Sequence, residues 1–449
     1  MRARGVRAAC VAAAIAVGGC SATSTSTTTT ATTTTTQAST AYSLGLENLL
    51  DNSGPLTCVS STWCVELGGG VRGSPPLFWS WNGHRWSEMP SGRRYRTDTT
   101  SHVSGLACAT QSQCVAVGSY AGAARGIPLI VQWDGTSWDQ PLLPAGPRGA
   151  SLDSVACPTR NDCFAVGADA QGALIEHFDG QDWTRVANPL ANIYSSLGGS
   201  ALSSVSCPRA TFCAAVGVFS DLQQPNVLAR LVRARAFAGI GPRAVVLSAV
   251  TAEETWNGTR WIATLVPFPR PRANREHGEE NGFDRVACAS PTMCTTAGET
   301  VDGVLAFDRW NGRSWRAGWP GSNSPTAEPT LSCSADACLA DFIPTTAPRG
   351  SGHSAAFDVY ESTGGMWVPT PGLRVPTDFQ TRSLYRADSE LSGWRGLAFA
   401  CSSAHFCLAN GYVNSSRTCG ISETYFASWN GVAWGVTIDG RNYPPKLCR

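Results

Sequence analysis

Beyond residue 40 the chain is a succession of short apolar runs separated by turn residues. In one representative unit, Ser154-Val155-Ala156-Cys157 is apolar, Pro158 to Asp162 is turn chemistry, and Cys163-Phe164-Ala165-Val166-Gly167 is a second apolar run. This pattern predicts a β-hairpin. A third strand alternates, as Leu129, Val131 and Trp133 do on one face, and an Asn-Gly or Asp-Gly turn leads into a fourth. Each unit therefore reads as four antiparallel strands.

The unit recurs. Cysteines fall in seven pairs: Cys58/Cys64, Cys108/Cys114, Cys157/Cys163, Cys207/Cys213, Cys288/Cys294, Cys333/Cys338 and Cys401/Cys407. The first cysteines of successive pairs are 50, 49, 50, 81, 45 and 68 residues apart, so the basic period is near 50. A second mark follows most pairs: Trp81-Asn82-Gly83-x-x-Trp86, Trp133-Asp134-Gly135-x-x-Trp138, Phe178-Asp179-Gly180-x-x-Trp183, Trp256-Asn257-Gly258-x-x-Trp261, Trp310-Asn311-Gly312-x-x-Trp315 and Trp429-Asn430-Gly431-x-x-Trp434. The sixth unit keeps only Gly364-x-x-Trp367. A four-residue turn sets the two aromatics of each mark opposite one another across the strands. Seven such units predict an all-β fold, a seven-bladed β-propeller of four-stranded blades, with residues 41–449 forming the ring. An array of separate small domains would need linkers, and no Pro/Ser-rich linker recurs. Small residues in the second strand, with Gly four positions after the second Cys in six units, suggest a crowded place near the ring axis.

Composition agrees with turn-rich β structure. The 449 residues include 46 Gly, 27 Pro and 16 Trp, and only 15% are charged. A net charge of +1 without a dense basic patch argues against nucleic acid as a partner. Eighteen cysteines in regular pairs point to an oxidising compartment and to one disulfide per blade. Facing positions flanking a hairpin turn lie about 4.5–5.5 Å apart at Cα, within bridging reach, and each small loop closed contributes ~2 kcal/mol. The six His do not follow the cysteine period, so no metal and no cofactor is expected. With Cys10 removed and Cys20 modified, Cys419 and Cys448 remain to bridge one another and to pin the C-terminal tail to the last blade.

The N-terminus carries an address. Arg2, Arg4 and Arg7 precede an apolar stretch from Ala8 to Val17, about half the length of a membrane span, which reads as a signal peptide over residues 1–19. Val17-Gly18-Gly19-Cys20 resembles a bacterial lipobox, which implies that Cys20 is lipidated and that the protein is held on the outer face of the cell membrane. Residues 21–40 contain 12 Thr and 4 Ser with no large apolar residue, so residues 20–40 form a lipidated, disordered tether.

Antiparallel order puts the first-to-second and third-to-fourth turns, and with them the cysteine hairpins, on one face of the ring. The long connections of 218–251, 267–284, 341–354 and 371–396 then fall on the opposite face, where recognition concentrates. Candidate binding residues there are Arg270, Arg272, Arg275 and His277, then Arg382, Tyr385 and Arg386, and Arg93 and Tyr95. Such residues can grip a carboxylate, a sugar or a protein surface. The expected activity is binding of a protein or cell-envelope glycan by a non-enzymatic, monomeric platform. The alternative is a glycan-active hydrolase or lyase using Glu276, Glu279 or Asp388.

The Gly-x-x-Trp turns resemble the Asp-box hairpins of sialidase-like propellers, and the exported Cys-rich setting resembles lipoproteins of high-GC Gram-positive, actinobacterial type. The Asp two residues before the Gly is replaced here by Trp or Phe, and no Arg-Ile-Pro signature is present. No catalytic residue carries over from that resemblance, and the fold alone does not decide function.

Overall fold

The computed structural model describes residues 54–68, 76–92, 101–120, 127–140, 149–187, 189–190, 201–217, 250–267, 282–299, 305–318, 326–334, 338–344, 356–363, 366–369, 373–374, 398–414 and 422–438. All lie in the compact unit Tyr42–Arg449. The signal peptide, Cys20, the tether, Cys419 and Cys448 lie outside the described residues.

The described strands form seven antiparallel sheets. The first contains β1 Leu56–Ser60, β2 Trp63–Gly68, β3 Leu77–Trp81 and β4 Trp86–Glu88. The second contains β5 Ser101–Thr110, β6 Gln113–Tyr120, β7 Ile127–Trp133 and β8 Trp138–Asp139. In the third are β9 Ser151–Thr159, β10 Asp162–Asp169, β11 Gly172–Phe178 and β12 Trp183–Arg185. The fourth comprises β13 Ser204–Arg209, β14 Phe212–Gly217, β15 Val250–Trp256 and β16 Trp261–Pro267. The fifth comprises β17 Gly282–Ser290, β18 Met293–Glu299, β19 Leu305–Trp310 and β20 Trp315–Gly318. The sixth is built from β21 Thr326–Cys333, β22 Cys338–Pro344, β23 Ala356–Thr363, β24 Met366–Pro369 and β25 Leu373–Arg374. The seventh is built from β26 Ala398–Ser403, β27 Phe406–Asn414, β28 Ser422–Trp429 and β29 Trp434–Ile438.

Within each sheet the strands lie side by side in chain order. The four-stranded blades number six, not seven, and the sixth sheet in the chain is five-stranded, which corrects the expectation of seven four-stranded blades. The extra strand, β25, pairs with Ala356 and Phe357 of β23, beyond the stretch of β23 that β22 and β24 cover. This is the unit whose aromatic turn is incomplete: its register sets Ser362 opposite Trp367 where five other sheets set Trp opposite Trp.

The sheets are arranged as the blades of a propeller. First strands pack against one another in succession, β1 on β5, β5 on β9, β9 on β13, β13 on β17, β17 on β21 and β21 on β26, and β26 returns to β1. Serines stitch this inner ring. The Val205 N–H donates to Ser154 Oγ at 3.2 Å, Val286 N–H to Ser204 Oγ at 3.1 Å and Cys401 N–H to Ser332 Oγ at 3.1 Å, each across two neighbouring sheets. The first strand, not the second, is therefore innermost. The recurrent glycine of the second strand answers a different need: it lies against a bulge of the first strand. Between Val103 and Gly105 the register of β5 shifts, and a Cβ on Gly118 would sit 1.9 Å from the His102 carbonyl oxygen.

The core lies between sheets. Phe164, Val166 and Ile175 of the third sheet pack with Cys213, Ala215 and Trp261 of the fourth, and Phe78 of the first stacks on Trp138 of the second with ring centroids 3.8 Å apart. Seven disulfides clip the first two strands of every sheet, with bridged Cα atoms 3.9–4.1 Å apart, closer than hairpin geometry alone suggests.

Each cysteine hairpin places one sulfur of its bridge in the interior. Their turns lie on one face, but the second cysteine of each bridge is an interior residue. Cys64, Cys114, Cys163, Cys213 and Cys294 are buried and pack in clusters with residues of the preceding sheet. Cys338 and Cys407 are buried as well. Cys407, bridged to Cys401, is the register partner of buried Trp429, the first aromatic of its mark. Partners in register share a face of the sheet, so cysteine and indole are covered together. These cysteines are structural staples closed off from solvent.

Candidate functional site

One face of the ring is built from two interlocked turns per blade. In the first, two residues join the first and second strands of six sheets; in the second, four residues join the two aromatics of the mark. In the five marks that open with Trp, that indole reaches over to the disulfide hairpin. Trp81 Nε1–H donates to the Ser61 carbonyl at 3.3 Å, Trp133 to Gln111 at 3.1 Å, Trp256 to Ala210 at 3.1 Å, Trp310 to Pro291 at 3.0 Å and Trp429 to Ala404 at 3.1 Å. The Asn or Asp before the Gly closes its own turn: Asn82 Oδ1 accepts the His84 and Arg85 amides at 3.0 and 2.9 Å, and Asp134 and Asn430 repeat this. Gly83 has φ 93°, open to glycine, and a Cβ there would press on Thr62 of the neighbouring turn at 3.1 Å. These bonds tie the two turns of a blade together, while the second indole of the mark, at Trp138, Trp183, Trp261, Trp315 and Trp434, has its N–H buried and unpaired.

The connections that vary in length leave from the other ends of the strands. β14 and β15 are separated by 32 residues where β10 and β11 are separated by two. The candidate residues Arg93, Tyr95, Arg270, Arg272, Arg275, His277, Arg382, Tyr385 and Arg386 all lie outside the described residues, as do Glu276, Glu279 and Asp388.

The described chemistry that composition did not reveal is a set of carboxyl groups between the sheets. Three successive units carry an acid two residues before the first aromatic of the mark: Glu176, Glu254 and Asp308. Alternation along the third strand sets each on the same side as that aromatic, toward the preceding sheet. Glu254 is fully buried and accepts the Leu190 amide at 3.2 Å; burial pushes its carboxyl up to about 8 against that bond. Asp308 is buried and pushed up to about 7 by desolvation. Glu176 is half-buried and rises to about 7 through burial, with Arg185 pulling it down and Asp169 pushing it up. Arg185 Nη1–H in turn donates to Asp169 Oδ2 at 2.6 Å. A fourth acid, Glu253, lies on the opposite side of β15 from Glu254, and burial followed by repulsion from Asp308 holds it well above the usual range.

Glu66 completes the set at the seam between first and seventh sheets. Its Oε1 accepts from Asn410 Nδ2, and burial pushes its carboxyl up to about 8 despite that bond. Glu66, Glu253, Glu254 and Asp308 are sealed from solvent, so they cannot reach a polymeric substrate and serve the seams between blades. An acid at a fixed offset before the aromatic mark was legible in the chain; its burial was not. Half-buried His177 pairs with Asp162 at 2.8 Å and stacks on Phe164, with ring centroids 4.3 Å apart. Among the described residues no group of three His, Cys, Asp or Glu could hold a metal ion.

No protein-family model and no curated protein matches the chain. Among solved structures it is similar to the SapL1 lectin in complex with alpha methyl fucoside, at 12% identity, covering 75% of this chain and 95% of that one, with a TM-score of 0.40. It is similar to a fucose-specific lectin from Aleuria aurantia at 12% identity, 77% and 97% coverage and a TM-score of 0.39. An ulvan lyase of a polysaccharide lyase family, bound to a GlcA–Rha3S disaccharide unit, matches at 10% identity, 87% and 94% coverage and a TM-score of 0.45.

Proposed function

We propose that this protein is an exported binding platform, anchored outside the cell membrane by lipid on Cys20 and raised on its Thr/Ser tether, that presents one face of a closed ring to a protein or cell-envelope glycan. The observation that supports this reading is the asymmetry of the two faces. On one, hairpin turns of nearly constant length are locked together in five blades by indole-to-carbonyl bonds. On the other, connections range from two to 32 residues between described strands. A rigid scaffold with length variation concentrated on one side is the arrangement that binding surfaces use. The seven disulfides suit an oxidising, extracytoplasmic setting.

A glycan array combined with pull-down from envelope extract tests the binding reading. Retention of a partner that is lost when residues 268–281 are replaced by a short Gly/Ser link supports it; turnover of a polysaccharide with no retained partner overturns it. Anchoring is tested separately by Cys20→Ser, which should release the protein from the membrane fraction and abolish fatty-acid labelling. The tail bridge is tested by non-reducing peptide mapping, where a Cys419 peptide joined to anything but Cys448 excludes it.

A further inference from the structure

The fourth and fifth sheets meet across a polar site inside an otherwise apolar seam. Val216 of β14 packs with Cys294 and Ala306 of the fifth sheet. Glu253 is the register partner of Val216, so it shares that face and looks toward the fifth sheet. Asp308 lies two residues beyond Ala306, and Thr296 two beyond Cys294, which places both on the facing side; Asp308 and Thr296 are themselves directly paired across β18 and β19. All three residues are 0–1% exposed. Both oxygens of Glu253, both oxygens of Asp308 and the hydroxyl of Thr296 lack a hydrogen-bond partner.

Five unpartnered oxygens buried together are costly, since each loses its water without replacement and the two carboxyls repel. A hydroxyl paired across two strands with a carboxylate would ordinarily donate to it. Thr296 does not, although no other polar group occupies it. Its burial and its unsatisfied oxygen point independently of the acids to a further species held at this position.

We propose that Glu253, Asp308 and Thr296 bind a calcium ion between the fourth and fifth sheets. The donor set is all oxygen, which selects a hard cation over zinc, copper or iron. Two carboxylates carry the charge that a divalent ion neutralises. Calcium accepts six to eight oxygens in irregular geometry and takes carboxylates in bidentate fashion, whereas magnesium requires a near-ideal octahedron and retains its waters. A bound ion would cross-link two sheets that the disulfides, each local to one hairpin, leave unlinked.

Protein purified from calcium-containing and from chelator-containing buffers provides the test. Elemental analysis should find about one calcium per chain in the first and none in the second, with a higher melting temperature in the calcium-loaded sample. Terbium offered in place of calcium should luminesce on indole excitation, because Trp310 lies on the same face of β19 two residues from Asp308. Asp308→Asn, or Thr296→Val should the first variant fold poorly, should abolish or weaken all three signals. Protein that is free of metal, melts identically in both buffers and shows no terbium luminescence would overturn the proposal. So would a pair that merely shares a proton, recognised by a metal-independent rise in melting temperature at alkaline pH on Glu253→Gln.

Discussion

The Asn410 side-chain amide donates to the Glu66 carboxyl although 344 residues separate them in the chain. This bond spans the seam where the last sheet meets the first. Around it Leu56, Cys64 and Trp79 of the first sheet pack with Ala400 and Leu408 of the seventh. Among the described residues the ring is thus closed by an apolar seam with one buried acid–amide pair at its centre. Asn410 Nδ2 also reaches the Gly54 carbonyl at 3.4 Å.

The seam should respond to pH in the direction opposite to ordinary acid denaturation. Burial raises Glu66 from 4.5 to about 8 in the folded protein. Below pH 4.5 both folded and unfolded states hold the proton. Between about 4.5 and 8 the unfolded chain releases it while the folded chain keeps it, so stability falls as pH rises through that window and levels off above it. Thermal melts from pH 5 to 9 should show a declining melting temperature. Glu66→Gln should flatten the slope and melt higher than the parent at pH 9; an unchanged slope would contradict the role of Glu66.

Removing the amide should be costly at any pH. Asn410→Ala strips the buried Glu66 carboxyl of the only partner described for it and leaves a small cavity, a loss of about 1–3 kcal/mol. Urea unfolding should show a lower midpoint, and limited proteolysis should begin at the strands flanking the seam.

Two glycines should part company. At Gly118 a methyl group would collide with the His102 carbonyl at 1.9 Å, so Gly118→Ala should fail to accumulate as folded protein. At Gly435 the nearest atom to such a methyl is 3.7 Å away, and Gly435→Ala should melt within about 1 °C of the parent. Soluble yield and thermal melts of the two variants measure the difference directly.

Trp138 tests whether the aromatic mark acts within its hairpin or between blades. It pairs with Trp133 in its own sheet at 6.0 Å, yet it stacks more closely on Phe78 of the preceding sheet, at 3.8 Å, and is fully buried. Trp138→Ala should cost ~3–5 kcal/mol by cavity formation. Phe78→Ala in the same background should then cost much less than it does alone, a coupling that a double-mutant cycle in urea would read.

The chain by itself determined the repeat, the strand count of most units, the pairing of cysteines within hairpins and the pairing of aromatics across Gly turns. These follow from spacing, because strand alternation and turn geometry act over a few residues. It was equally clear that the sixth unit had lost its aromatic turn, though not that a fifth strand would be added there. Tertiary structure alone decided which strand is innermost. The small residues of the second strand signalled crowding, but the crowding comes from a first-strand bulge, as Gly118 against His102 shows. It also decided the fate of the acids. Glu176, Glu254 and Asp308 stand at one offset in the repeat, and nothing local separates them from solvated charges. Only the stacking of neighbouring sheets removes water from Glu254 and Asp308, brings Glu253 opposite Asp308 and sets Asn410 on Glu66. Such contacts join residues tens to hundreds of positions apart, and desolvation by a neighbouring sheet has no signature in the strand it covers.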